Sequence, residues 1–250
     1  MRLCMFSPKG MDLERGWPGR IDGDRVVQLA AQTLQAFFTG GGGAREHAEY
    51  ALAECDLRAP VLHPPSIRVF SPFERGETPF FSFRNTYPVF GPEQEIAYPE
   101  GTAELDYGLA VAAVIGADGE IGGFTVANDW TARDLARAER EAGFGPSKSK
   151  DFAFSLGPIL VTPDELAGGR FVARVNGEER CGGDLRELVH PWAALVAHAA
   201  RNSALRPGDV LVATTTGASG RALEPGDVVE VEADGIGVLR NVVGPPRSSR

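Results

Sequence analysis

The sequence has little that would staple a chain covalently, carry it into a membrane or draw it to nucleic acid. Its three cysteines, Cys4, Cys55 and Cys181, are odd in number, widely spaced and without a CxxC pair. That argues against a disulfide framework or a zinc site and for free thiols in a reducing compartment. No uninterrupted apolar run approaches the roughly 20 residues of a bilayer span. The first residues, MRLCMFSPKG, lack a signal-peptide core, so a cytoplasmic location is expected. Positive charge is in deficit, with a formal net charge of −9, which makes nucleic acid and anionic membrane surfaces poor partners. Helical periodicity is scarce.

What is present suits a folded, turn-rich chain. The 250 residues fit one large domain, or an ordinary domain plus a small one. The hydrophobic share of 43% is enough to bury a full core, while 31 glycines and 18 prolines point to sheet with many turns. Residues 1–62 read as a small α+β cap. Asp22-Gly23 signals a hairpin. Residues 28–38 place Leu29, Thr33, Leu34 and Phe37 on one helical face, and a second helix is expected from Ala44 to Cys55. The glycine run Gly40 to Gly43 lacks a following Lys-Ser/Thr and is no phosphate loop. Residues 63–244 read as the main domain and 245–250 as a disordered tail.

In the main domain, Gly108 to Gly116 is a short continuous apolar run, which suits a strand buried on both faces. Phe124 begins an apolar strand that ends in the polar knot Asn128-Asp129-Trp130-Thr131-Ala132-Arg133-Asp134. A short charged helix and a Gly/Pro/Lys loop follow, then a strand from Leu156. Asn176-Gly177 is a type I′ turn signal. Residues 185–200 form the strongest helical pattern, with His190 and His198 half-buried on it. His63 reads as a surface residue. Arg206-Pro207-Gly208-Asp209 and Glu224-Pro225-Gly226-Asp227 each lead a turn into a strand.

These motifs resemble the fumarylacetoacetate hydrolase family. The resemblance rests on NDWTARD (128–134), KDFAFSLGP (150–158), VTPDEL (161–166), RVNGE (174–178), LRPGDVL (205–211) and the closing GDVVEVEADGIGVLRN. It implies a mixed α/β, mostly β fold, a rolled mixed β-sandwich with a small N-terminal α+β cap, usually as a homodimer. It also implies chemistry on small β-dicarbonyl or 2-oxo/enol acids, and a divalent ion, Mg²⁺ or Mn²⁺, held by four carboxylates. Residue by residue, Asp129 keeps one of them. The other three positions fall on Val69, Gly108 and Ala110, which carry no donor. Glu104 and Asp106 precede the strand, off its core-facing period. The loop Ser71 to Glu77 has no histidine where the family's general base sits. Lys150 matches the family lysine, Thr215 the substrate-facing threonine, and Ala136 stands where a glutamine is common.

A lone carboxylate holds Mg²⁺ weakly, because the ion keeps its water unless several charged oxygens replace it. No cofactor is therefore expected, with Mg²⁺ or Mn²⁺ as the alternative. The expectation is a repurposed, metal-independent enzyme acting on a small keto/enol substrate as lyase, isomerase or cyclase. Asp129 and Lys150 are its candidate catalytic residues. Asn128, Arg133 and Thr215 are its candidate substrate-binding residues. Asp129 could move a proton, or simply pair with a cation; Arg133 and Asp134 could serve only to fix the turn. Two alternatives stay open. One is a non-catalytic protein that binds a small acid or a partner. The other is a metal-dependent C–C hydrolase or decarboxylase with a rebuilt ligand set drawn from Glu74, Glu77 or Asp106.

Overall fold

A computed structural model describes residues 1–70, 78–166, 168–214 and 221–246. Strand Leu109–Ile115 explains the architecture best. Every one of its residues is buried. Successive side chains of a strand point to opposite faces. Leu109, Val111 and Ala113 accordingly join one core with Phe171, Val231 and Leu239. Ala110, Ala112 and Val114 join another with Leu3, Met5, Phe37 and Val212. A strand buried on both faces needs apolar residues at every position, which is what the continuous run supplies.

Around it lies a sheet of twelve strands among the described residues. Its order runs Glu46–Ala51, Arg25–Leu29, Trp17–Asp22, Arg2–Pro8, Phe154–Val161, Ile121–Asn128, Leu109–Ile115, Val210–Thr214, Ile67–Phe70 and Phe81–Arg84, with two short strands attached to its side. A second sheet of five, Glu178–Asp184, Arg170–Val175, Val228–Ala233, Gly237–Pro246 and Glu95–Tyr98, packs over the middle of the first. The fold is mixed α/β and mostly β, as expected. Strand Arg2–Pro8 pairs with Phe154–Val161, so the N-terminal stretch continues the same sheet as the main one.

The turn signals hold. Asp22 pairs with Arg25 across a two-residue turn in which Gly23 has φ +58°. Asn176 and Gly177 have φ +54° and +78°, the two positive values a type I′ turn requires.

The N-terminal helices differ from expectation. Val26, Val27 and Leu29 belong to a strand, and helix α1 spans only Leu34–Thr39. Thr33 does not ride on the helical face. It caps the helix, its Oγ1 accepting from Ala36 N–H at 3.0 Å. The helix expected over 44–55 is instead strand Glu46–Ala51 at the sheet edge, where only Tyr50 packs inward, against Phe6 and Trp17. Apolar residues three and four apart also occur when a strand runs into a capped turn, and that ambiguity misled the periodicity. Pro245 and Pro246, expected in the disordered tail, lie in strand Gly237–Pro246.

Two further helices are seen among the described residues. α2 spans Arg133–Glu141 and α3 Trp192–Ala200. α3 is shorter than the expected 185–200 because Pro191 stands at its N-cap and Leu188 is extended. His198 on α3 packs edge-on against Phe70 and Phe81, and its buried Nδ1 has no hydrogen-bond partner among the described residues. No helix among the described residues is long and apolar enough to cross a membrane. All three cysteines are free.

Candidate active site

The polar knot forms where strand Ile121–Asn128 leaves the sheet. Trp130, fully buried, anchors it, and its indole N–H donates to Ser155 Oγ at 2.9 Å. Thr131–Ala132 then pairs with Leu105–Asp106 in a two-stranded ribbon, and α2 begins. Asp134 fixes this start. Its carboxylate accepts from Thr102 Oγ1 and from the backbone N–H groups of Ala103 and Leu135, both at 2.9 Å. Asp134 thus holds the turn, one of the two roles left open for it.

Asp129 sits at the centre, 1% exposed. Arg84 grips it with two parallel bonds, Nε–H to Oδ1 at 2.7 Å and Nη2–H to Oδ2 at 2.9 Å. Lys150 Nζ donates to the same Oδ2 at 2.7 Å and to Thr131 Oγ1 at 2.6 Å. Arg84 is held in turn by Ser82 Oγ at 2.8 Å and Phe83 O at 3.0 Å. Burial alone would raise the Asp129 pKa. Lys150 and Arg84 overcome that and hold the carboxyl far below the ordinary range. Burial likewise pulls the Lys150 amine below its ordinary value. Asp129 opposes this and Arg84 adds to it.

Asp106 was expected off the core-facing period, yet it is buried and takes the Nε–H of Arg133. Its burial raises its pKa, with Arg133 pulling the other way. Arg133 and Lys150 both line a cleft of about 450 Å³, together with Thr131 and residues of α2. Asn128, expected at the substrate, faces elsewhere. It is buried, and its Oδ1 accepts the Gly108 N–H at 2.8 Å, tying the end of strand Ile121–Asn128 to the residue before Leu109–Ile115. Thr215 lies outside the described residues, as do Glu74 and Glu77.

Lys150 meets Asp129 directly, Arg133 shares the cleft with Lys150, and Arg84 joins them at Asp129. As a proton acceptor Asp129 is poor, since both its oxygens are engaged by cations. A partly desolvated lysine at the edge of a cleft, steadied by a buried ion pair, can donate or accept a proton there.

Residues 41–244 match the family described as fumarylacetoacetate (FAA) hydrolase C-terminal. The oxaloacetate tautomerase of Bacillus subtilis is 28% identical over 231 residues, covering 78% of this chain and 75% of its own. The 5-carboxymethyl-2-hydroxymuconate delta-isomerase of Mycobacterium smegmatis superposes with a TM-score of 0.83 at 25% identity, over 98% of this chain and 100% of that one. Maleylpyruvate hydrolase from Sphingobium sp. SYK-6, solved with manganese(II) and pyruvate, shares the fold: TM-score 0.78, 21% identity, 99% and 100% covered.

A divalent ion of the family type does not fit the residues present. Val69 and Ala110 are buried in an apolar core and offer no donor. At Gly108 a Cβ would stand 2.6 Å from Asp129 O, so no longer side chain can be accommodated without moving the backbone. The remaining carboxylate is already neutralised by two cations. Among the described residues no three His, Cys, Asp or Glu side chains group as an ion site. Arg84 places a positive charge beside Asp129.

Proposed function

The chain belongs to the fumarylacetoacetate hydrolase family, and on that premise we propose that it is a keto–enol isomerase of small 2-oxo acids that works without a metal ion. The relatives with assigned activities include a tautomerase and isomerases on this fold. One observation carries the finer reading. The Lys150 ammonium, held by buried Asp129 and Thr131, opens on a cationic cleft.

The chemistry follows from that position. A 2-oxo acid enters with its carboxylate toward Arg133, attracted by the charge of the cleft. Neutral Lys150 takes the proton from the carbon beside the ketone, and the negative charge moves to the oxygen. The ammonium so formed, with Arg133 nearby, stabilises the enolate. It then returns the proton to oxygen, giving the enol and the free amine. The reverse path regenerates the ketone. Asp129 fixes the amine in place and stays ionised throughout. Its depressed proton affinity suits that duty and argues against the general-base role.

Oxaloacetate, the substrate in the name of the Bacillus subtilis relative, is the first compound to try. Enol formation is followed by its ultraviolet absorbance in the presence of pure protein. The expected outcome is enolisation far above the buffer rate, lost in Lys150→Met. A rate equal to buffer across a panel of 2-oxo acids would remove the proposal. The reading keeps the protein as a cytoplasmic homodimer; light scattering that returns a monomer mass would strike the second part.

A further inference from the structure

Helix α2 carries arginines at 133, 137 and 140, spacings of four and three that put them on one face. That face lines the cleft beyond Lys150, and short Ala136 between the arginines leaves it open. The lining holds four cations and no carboxylate. α2 contributes no buried side chain, so packing does not account for the stripe.

Two of the three arginines are neutralised from behind. Asp106 takes Arg133, and Glu104 takes both terminal nitrogens of Arg137 at 2.8 and 2.7 Å. The two acids lie two residues apart on the neighbouring ribbon segment, in step with arginines four apart. Arg140 is left with no ion pair among the described residues. An anion bound beside Arg140 would supply the counter-charge that Arg133 and Arg137 already have.

We propose that Arg140, with Arg137 beside it, is the subsite for a second acid group on the substrate, making the ligand a short dicarboxylic 2-oxo acid. This rests on the isomerase reading, which sets the reacting ketone at Lys150. Along the helix axis Arg133 and Arg140 stand about 10 Å apart, which lets two acid groups on one short chain meet separate arginines.

Calorimetric titration with succinate and with propionate, on the wild-type chain and on Arg140→Gln and Arg140→Lys, tests this without turnover. The wild type is expected to favour succinate over propionate by about tenfold or more. That preference collapses in Arg140→Gln and partly returns in Arg140→Lys. Equal binding of the two acids to wild type, a preference retained in Arg140→Gln, or no succinate binding at millimolar concentration overturns the proposal. The ratio of enolisation efficiencies, kcat/KM for oxaloacetate over pyruvate, separates it from the reading beneath it. If the wild type binds succinate through Arg140 but enolises nothing, the isomerase reading fails and the subsite stands. If it enolises both acids and Arg140→Gln leaves the ratio unchanged, the subsite fails and the isomerase reading stands.

Discussion

The protein buries aspartates in two ways, and the contrast separates scaffold from site. Asp209 and Asp227 follow the two Pro-Gly turns. Asp209 accepts the Arg206 N–H at 2.8 Å and the Ser66 hydroxyl at 2.7 Å. Asp227 accepts the Glu224 N–H at 2.8 Å and the Asn176 amide at 2.8 Å, and Arg221 adds an outer bond. Each accepts from the backbone N–H three residues before it and so fixes its own turn, while Ser66 and Asn176 tie those turns to distant parts of the chain. Asp129 takes none of its side-chain bonds from a backbone N–H. Its partners are two cations, 45 and 21 residues away along the chain. A carboxylate spent on its own turn is a fold device. A carboxylate spent on a lysine at the lip of a cleft positions chemistry.

The largest effect expected from this contrast is on rate. Lys150→Met leaves the Arg84–Asp129 pair intact and removes the amine. Enolisation should fall by roughly 10²–10⁴-fold while circular dichroism and melting stay close to wild type, because a positioned acid–base group contributes on that scale. A variant that keeps its rate would make Asp129 and Lys150 a fold device after all.

Next come stability effects. Asp129→Asn leaves Arg84 and Lys150 buried without their counter-charge and should cost about 3–5 kcal/mol in denaturant unfolding. Asp227→Asn loses hydrogen bonds but strands no buried cation, and should cost about 1–3 kcal/mol. Equal losses would erase the distinction. Arg84→Lys keeps the charge and gives up one of the parallel bonds. It should fall between wild type and Asp129→Asn, at about 1.5–3 kcal/mol.

The smallest effects are on pH dependence, and both run the same way, stability rising with pH, in two separate windows. Folded Asp129 releases its proton at lower pH than it would unfolded, where the ordinary value is 3.8. Its contribution to stability is therefore complete above that value and drains away as pH falls below it. Lys150 is shifted below its ordinary 10.5, so the unfolded chain holds the proton longer and stability gains as pH rises through the window under 10.5. Enolisation should climb over the same window as the amine becomes neutral. A rate that falls with rising alkalinity would contradict the base role of Lys150.

Much of this was legible in the residues. The continuous apolar run from Gly108 to Gly116 suited a doubly buried strand, and Asp22-Gly23 and Asn176-Gly177 signalled turns. NDWTARD and Lys150 marked the candidate site, and Val69, Gly108 and Ala110 could be read as positions without a metal donor. Arg84 was not legible. It ends the strand Phe81–Arg84, and its use depends on the sheet bringing that strand end to Asp129, which no local pattern encodes. Its one signal was a charge at a strand end, two residues after Ser82 and so on the same face. Asp106 was misplaced for a related reason: its burial follows from the ribbon it makes with Thr131–Ala132, a pairing decided in three dimensions. Asn128 sat within the motif, but its side chain went to the backbone of Gly108.

One measurement bears most directly on the claim that Arg84 and Lys150 have taken over from an ion. The enolisation rate of oxaloacetate is followed on the wild-type chain as purified, after exhaustive dialysis against a chelator, and after adding back Mn²⁺. The expected result is three equal rates, each at least about a hundredfold above Lys150→Met. A rate lost on chelation and restored by Mn²⁺ would contradict the account.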